Sequence, residues 1–268
     1  MRSYLSRIYA ILTVAVVIFM IGPVLVLAGA SFTTTSFVKF PPEGFTLDWY
    51  TGLLADEDIV RGLLISLLIA VVSTLICLAL ALGIVLFLRG RSGGLLGLLN
   101  AFLLAPSFVP SLVIGIALLF FLSQIGLMGS LIGLMAGHVV ISLPFALRSL
   151  SSASDSLDVA LERAAAVYGA RPGVVLTKVT IPLLRPGLVA ASLFAFLTSF
   201  NNVTITLFIA GPTVRTLPVV LFQRAEEVVA PGIAAISTCI LIFTFIVLGL
   251  LQGRFRIFEN IRETRSAG

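Results

Sequence analysis

The chain has 268 residues, of which 59% are hydrophobic and only 11% are charged, and its formal net charge is +5. A soluble domain carries about 25% charged residues, so this composition predicts a protein embedded in a lipid bilayer and argues against a soluble enzyme or a nucleic-acid-binding protein. Cys77 and Cys239 each lie inside an apolar run, which argues against a disulfide framework and a zinc site.

Six apolar runs are long enough to cross a bilayer as helices. The first run is longer than the apolar region of a signal peptide, which has about 7–15 residues, so we expect it to be retained. The third contains Pro106 and Pro110, which should kink it, because proline frees backbone carbonyls that then need protein or water nearby. We therefore predict an all-α membrane protein with six transmembrane helices in a single domain, residues 1–268. The predicted spans are residues 8–30, 62–88, 95–122, 128–147, 187–210 and 232–251.

Lysine and arginine are distributed unevenly between the two sides of such a bundle. Of the 17 basic residues, alternating spans put 4 on one side, which leaves 13 on the other. The positive-inside rule then places both termini and the loop at residues 154–186 in the cytoplasm. The outer four are Lys39, Arg61, Arg215 and Arg224, and the cytoplasmic group includes Arg254, Arg256, Arg262 and Arg265 of the tail.

The loop at residues 154–186 is the longest charged segment between two apolar runs, and its pattern indicates a helical hairpin. An apolar stripe of helical spacing runs along its first half, and glycine and proline then mark a turn and a second helix. The hairpin either docks on a partner protein or lies on lipid headgroups. The stripe is Leu157, Leu161, Ala164 and Tyr168; Gly169 is the expected turn, Pro172 the expected second start, and Pro182 and Pro186 the expected end.

A spaced motif within this loop resembles the cytoplasmic signature of permease subunits of binding-protein-dependent ABC importers. The signature reads Glu-Ala-Ala-x3-Gly-x9-Ile-x-Leu-Pro, and its Glu position is held here by Arg163, with Glu162 one residue earlier. Residues 45–50 and 199–218 resemble the spermidine/putrescine-type branch of that family. The matching positions are Ala164, Ala165, Gly169 and Pro182, with Val179 and Ile181 as conservative replacements.

The resemblance implies that the hairpin is a coupling helix in a groove of an ATP-hydrolysing subunit. It also implies two such ATP-binding subunits, a second, homologous permease subunit, and a periplasmic or lipid-anchored substrate-binding protein. ATP and Mg²⁺ would be bound by the partner subunits, so no cofactor and no metal is expected in this chain. The residues implied to couple to the ATPase are Leu161, Glu162, Arg163, Ala164, Ala165, Gly169 and Pro182.

The absence of two kinds of motif from the sequence is consistent with ATP being bound by other subunits. No G-x-x-x-x-G-K-[ST] occurs, so the chain has no P-loop for ATP phosphates, and no nucleophile–base set points to catalysis. Together with the resemblance, this implies a non-enzymatic permease in a bacterial inner membrane, forming half of the path for a small polyamine-like or amino-acid-like solute. The alternative is a secondary transporter or channel driven by an ion gradient, which would need charged groups inside its spans; the six predicted spans contain none.

Polar residues cluster near the middle of the predicted fifth span. On a helix Ser199, Asn202 and Thr206 share one stripe, and Asn201 points about 100° away from Asn202. These four residues either line the translocation path or form interhelical hydrogen bonds, worth on average about 0.6 kcal/mol each. We expect the path, because polar groups inside a membrane tend to mark pathways.

Two further candidate sites carry alternatives. His138 is the single histidine. Without a second ligand or a neighbouring carboxylate we expect it to be a hydrogen-bonded structural residue, and the alternative is a proton relay. Arg224, Glu226 and Glu227 lie in an outer loop, where they either contact a binding protein or form a solvated face.

Overall fold

The computed structural model describes residues 2–91, 93–227, 230–246 and 249, and that part of the chain contains helices and no strand. The all-α prediction is therefore confirmed for it. A 3-10 turn (Ala105–Phe108) follows α4, and a π-helical turn (Leu176–Thr180) joins α8 to α9. The helices are α1 (Arg2–Ala30), α2 (Asp48–Leu53), α3 (Glu57–Leu88), α4 (Gly94–Leu104), α5 (Ser111–Gln124), α6 (Leu131–Asp155), α7 (Val159–Val167), α8 (Pro172–Val175), α9 (Ile181–Phe200), α10 (Thr204–Ile209), α11 (Leu217–Glu227) and α12 (Pro231–Ile246).

Within the described residues, four helical segments are long and apolar enough to cross a membrane: Tyr9–Ala30, Glu57–Leu88, Leu131–Asp155 and Pro172–Phe200. A fifth span exists if α4 and α5 are taken together, although they are bent by 106°. The predicted sixth span corresponds to α12, which is too short to cross as far as it is described. Residues 250–251 of that prediction and the tail arginines lie outside the described residues.

The predicted kink in the third span is a sharp break. Pro106 lies in the 3-10 turn after α4, and Pro110 precedes α5 with an extended backbone, φ −54° and ψ 133°. Since proline lacks an N–H and its ring clashes with the preceding helical turn, two prolines four residues apart interrupt the helix twice. The chain therefore turns here instead of continuing as one bent helix.

The end of the predicted hairpin differs from expectation, because the helix runs on through both prolines. Pro182 lies in the first turn of α9, where a missing N–H costs little, and Pro186 lies inside α9. The predicted fifth span, residues 187–210, instead begins at Pro172 and ends at Phe200. The break falls at residues 201–203, within the polar run.

The described residues form two compact units, and the single-domain prediction stays a prediction. The larger unit, residues 61–220, is built around α6 and α9. Gly187 allows these two helices to approach closely, since a Cβ at this position would lie 2.3 Å from the Cβ of Ala153. The Ser73 hydroxyl donates to the Met135 carbonyl (3.3 Å), which ties α3 to α6. Two core clusters fill this unit: one around Cys77, Ala146, Leu147, Leu184 and Ala191, the other around Ile69, Leu134, Ile205 and Ile209.

The smaller unit, residues 1–60 and 221–250, contains the loop after α1. In this loop the Trp49 indole N–H donates to the Thr33 carbonyl (2.8 Å), and the Phe32 and Phe45 rings stack with centroids 4.9 Å apart. These contacts order a loop that has little regular structure of its own.

Candidate functional site

Local sequence determines both ends of α7, the first helix of the hairpin. The Asp158 carboxylate accepts a hydrogen bond from the Ala160 N–H (2.8 Å) and caps the N-terminus. At the other end Gly169 has φ +82°, its N–H donates to the Ala166 carbonyl, and the Ala170 N–H donates to the Ala165 carbonyl. This is the Schellman arrangement that a C-terminal glycine favours, so the predicted turn at Gly169 is confirmed.

The large apolar side chains at the tip of this hairpin are exposed. No residue of α7 is buried; Leu161 is 47% exposed, Val167 86% and Tyr168 92%. Arg163 and Ala164 are also exposed, while Ala165 and Pro182 are half-buried. The loop therefore presents an apolar tip on a charged segment.

Glu162 is turned inward, away from this exposed tip. Its Oε1 accepts hydrogen bonds from Arg89 Nη1 (2.6 Å), at the end of α3, and from the Thr180 hydroxyl in the π-helical turn. Sequence analysis missed Arg89 and Thr180 as partners. Arg89 lies 73 positions away along the chain, and no local spacing could have indicated that pairing.

In the polar run of the predicted fifth span, Ser199 and Thr206 both contact His138. His138 is fully buried, with Nδ1 2.8 Å from Ser199 Oγ and Nε2 3.0 Å from Thr206 Oγ1. Both ring nitrogens are thus engaged by hydroxyl groups. This arrangement favours the structural alternative over the proton relay, because neither nitrogen is left facing a path.

The two asparagines occupy the break between α9 and α10. Asn202 Oδ1 accepts a hydrogen bond from the Ile205 N–H (3.0 Å) and so caps α10, and its carbonyl accepts from the Thr206 hydroxyl (3.1 Å). Asn201 is exposed. Of the four predicted path residues, Asn201 therefore has the accessible side chain, and the other three are engaged in hydrogen bonds around the break.

Arg224 of α11 forms ion pairs within the chain. It makes two hydrogen bonds to the Asp56 carboxylate, at 2.6 and 2.9 Å, and lies 3.7 Å from Asp58. The Arg224 guanidinium holds the pKa of Asp56 below its usual value. Glu226 and Glu227 are exposed, and a cavity of about 900 Å³ lies beside this pair, lined in part by Trp49 and Glu227.

Among the described residues, no group of three or more His, Cys, Asp or Glu side chains could hold a metal ion.

Comparison with known proteins gives consistent matches. Residues 76–256 match the family described as binding-protein-dependent transport system inner membrane component. The molybdenum transport system permease protein ModB of Mycobacterium tuberculosis is 31% identical over 221 residues, 76% of this chain and 84% of the relative. The putrescine transport system permease protein PotI of Escherichia coli is 30% identical over 232 residues, covering 83% of this chain and 82% of PotI.

Two further matches extend over almost the whole chain. The spermidine/putrescine transport system permease protein PotC of Escherichia coli is 26% identical over 247 residues, 92% of this chain and 90% of PotC. Among solved structures, a bacterial ABC transporter involved in the import of the acidic polysaccharide alginate matches with a TM-score of 0.73 at 18% identity. That match covers 94% of this chain and 97% of the other and shows a shared fold.

Proposed function

Since this chain belongs to the family of binding-protein-dependent transport system inner membrane components, we propose that α7 is the contact through which ATP-binding subunits drive it. The chain is a permease subunit of a binding-protein-dependent ABC importer. The proposal adds which of its surfaces does the coupling, which partners complete the complex, and where the solute passes.

The observation that carries this proposal is the exposed apolar tip of the hairpin. Val167 and Tyr168 are almost fully exposed, directly beside the Gly169 turn. Apolar side chains on an otherwise charged loop are unfavourable in water, and exposed apolar patches tend to mark interaction sites. An ATP-binding subunit is the occupant that fits, because the sequence itself has no P-loop.

The remaining partners follow from the family. One short bundle offers half of a channel wall, so a second, homologous permease subunit would complete the path. A periplasmic or lipid-anchored binding protein would deliver the solute from outside. One similar solved structure is a bacterial alginate ABC transporter in complex with a periplasmic protein, which supports that arrangement. The chain would lie in the bacterial inner membrane with both termini cytoplasmic.

For the translocation path we propose the surroundings of the break at residues 201–203. Broken helices within a membrane are tolerated where the freed backbone groups face protein or a water-filled cavity. Asn201 and Asn202 would line the path, and Ser199 and Thr206 would support it through His138. The solute would be small and polyamine-like or amino-acid-like; PotC and PotI support a polyamine, whereas the name of ModB refers to molybdenum.

Co-purification and energy dependence test the proposed function together. The tagged chain is extracted from membranes in mild detergent, and uptake of putrescine and of molybdate is measured in vesicles that contain the complex and its binding protein. We expect an ATP-binding subunit to co-purify and uptake of one probe to require internal ATP. Uptake that survives ATP depletion, from a chain that purifies without an ATPase, would establish the ion-gradient alternative instead.

A further inference from the structure

We propose that Glu162 transmits movement of α7 to two membrane spans at once, and that its carboxylate is an internal linkage instead of part of the docking contact. The inference rests on the proposed function, since it concerns how that docking is converted into movement. It assigns a positioning role to Arg89 and Thr180, which neither the spaced motif nor the composition indicates.

The contacts of α7 leave few routes by which a force on this helix could reach the membrane. The helix has no buried residue, and its largest apolar side chains are exposed. Of its charged side chains, Arg163 is exposed, whereas Glu162 forms hydrogen bonds to the ends of two spans. Apart from the chain connections at both ends of α7, Glu162 is therefore the polar link from this helix to the bundle in the described part of the chain.

The first span reached through Glu162 is α3. Arg89 directly follows the end of this helix, and the side chains of Arg89 and Glu162 are only 13% and 23% exposed. Partial burial reduces screening by water and salt, so this pair holds its geometry better than a surface ion pair would. The other amino group of Arg89, Nη2, is buried without a hydrogen-bond partner among the described residues, which makes the Glu162 bond the main restraint on the guanidinium.

The second span is α9, and Glu162 contacts it at an irregular point. Thr180 is buried and lies at the end of the π-helical turn, where the Ile181 N–H donates to the carbonyl of Leu176, five residues earlier. A π-helical turn inserts one residue into the helical repeat and is frequent at functional sites. Movement of α7 would therefore act on α9 where its backbone is least regular, at the opposite end from the break beside His138.

The two contacts of Glu162 could serve either as a linkage that carries movement or as a simple anchor, and the two roles predict different results. An anchor would only keep α7 folded against the bundle, so its loss would weaken docking and ATP hydrolysis along with uptake. A linkage carries movement, so its loss should leave docking and hydrolysis in place while the spans stop responding. The ratio of solute taken up to ATP hydrolysed separates these two roles.

The test uses the complete reconstituted complex with its binding protein and whichever of putrescine or molybdate the wild-type complex accumulates. Glu162→Gln keeps the side-chain volume and an acceptor for Thr180 but removes the negative charge that pairs with Arg89. Arg89→Gln removes the positive charge of the same pair. We expect each variant to retain its ATP-binding subunits and its ATP hydrolysis. Uptake per ATP hydrolysed should fall about tenfold, within the usual range of coupling factors.

The matched control is Arg91→Gln, which removes the same charge two residues further on. Arg91 is exposed and stacks over the Phe87 ring at the end of α3, so uptake per ATP should stay at the wild-type value. The double exchange Arg89→Glu with Glu162→Arg should recover part of the loss, which a variant that merely fails to fold could not do.

Two outcomes would overturn the inference. Wild-type uptake and wild-type ATP hydrolysis in both single variants would show that the pair transmits nothing, and a proportional loss of hydrolysis and uptake would make Glu162 an anchor of α7 or part of the docking contact. Neither outcome touches the proposed function, which is tested separately by whether the wild-type chain binds an ATP-binding subunit.

Discussion

Gly169 has a backbone conformation that other residues rarely adopt, and it ends the helix that we propose to dock. Its φ is +82°, yet a Cβ built at this position would meet no atom within 4 Å. A substitution here therefore introduces backbone strain without a steric clash, which makes the position a clean probe of the turn. Gly173, in α8, also has open space around it but no positive φ.

We predict that Gly169→Ala strains the hairpin by about 1–2 kcal/mol, the cost of placing an L-residue in the left-handed region. Gly169→Val should strain it more, because a β-branched side chain tolerates that region poorly. ATP-dependent uptake should fall while membrane insertion and expression persist, measured in vesicles and by immunoblot. Gly173→Ala should retain wild-type uptake, and a Gly169→Val variant with wild-type uptake would show that the turn is not required.

His138 shows what sequence analysis could and could not establish for a single residue. The absence of a neighbouring carboxylate or second ligand correctly favoured a hydrogen-bonded histidine. Its hydrogen-bond partners could not be predicted from the sequence, because Ser199 and Thr206 lie 61 and 68 positions further along the chain. A continuous helix would also have aligned these two residues with Asn202, whereas the chain breaks and Asn202 caps the next helix.

The packing of α6 against α9 depends on a small residue at one point. A Cβ at Gly187 would lie 2.3 Å from the Cβ of Ala153 and 3.4 Å from Leu150 Cδ1. The contact with Ala153 is too close for a larger side chain without separation of the two helices, because protein interiors are close-packed. The Cys77 and Leu184 core cluster fills the same region.

We predict that Gly187→Val destabilises the protein by about 1–3 kcal/mol, the usual cost of overpacking. The measurement is the midpoint of thermal unfolding in detergent. Gly83→Val in α3 is the control, since a Cβ there meets no atom within 4 Å, and its midpoint should stay near the wild-type value. Equal midpoints for both variants would mean that α6 and α9 do not approach as closely as described.

At the scale of helices, the sequence indicated which segments are helical better than where they end. The runs that became α1, α3 and α6 and the glycine stop of α7 were predictable from apolar length, helical spacing and cap residues. The predicted stripe from Leu157 to Tyr168 extends beyond α7 at both ends, and Asp155 belongs to α6.

The effect of each proline on its helix was not predictable, because proline interrupts the helix at Pro106 and Pro110 but is tolerated within it at Pro182 and Pro186. Position in the first turn of α9 accounts for Pro182, whereas Pro186 lies inside the same helix, so residue type alone does not predict the outcome.

For the whole molecule, the distribution of charged and exposed side chains indicates where the energy for transport is supplied. Within the described spans Asp and Glu lie only at the ends, and the basic residues further in are Arg148, Lys178 and Arg185; a carboxylate that an ion gradient could use is therefore absent from their interior. The charged hairpin carries the exposed apolar tip instead, so the energy would come from a partner that binds there. Composition and the spaced motif were enough to predict this arrangement, whereas the Glu162–Arg89 pair required the fold.

The most direct test of the central claim is site-specific photo-crosslinking from Tyr168 in intact cells. A photoreactive amino acid replaces Tyr168, which is 92% exposed, or Leu54, which is 84% exposed and lies in the predicted outer loop. We predict that irradiation joins the Tyr168 position to an ATP-binding subunit, identified by mass spectrometry, and that the Leu54 position gives no such adduct. An ATP-binding subunit captured equally from both positions, or from neither, would contradict the proposed coupling through α7.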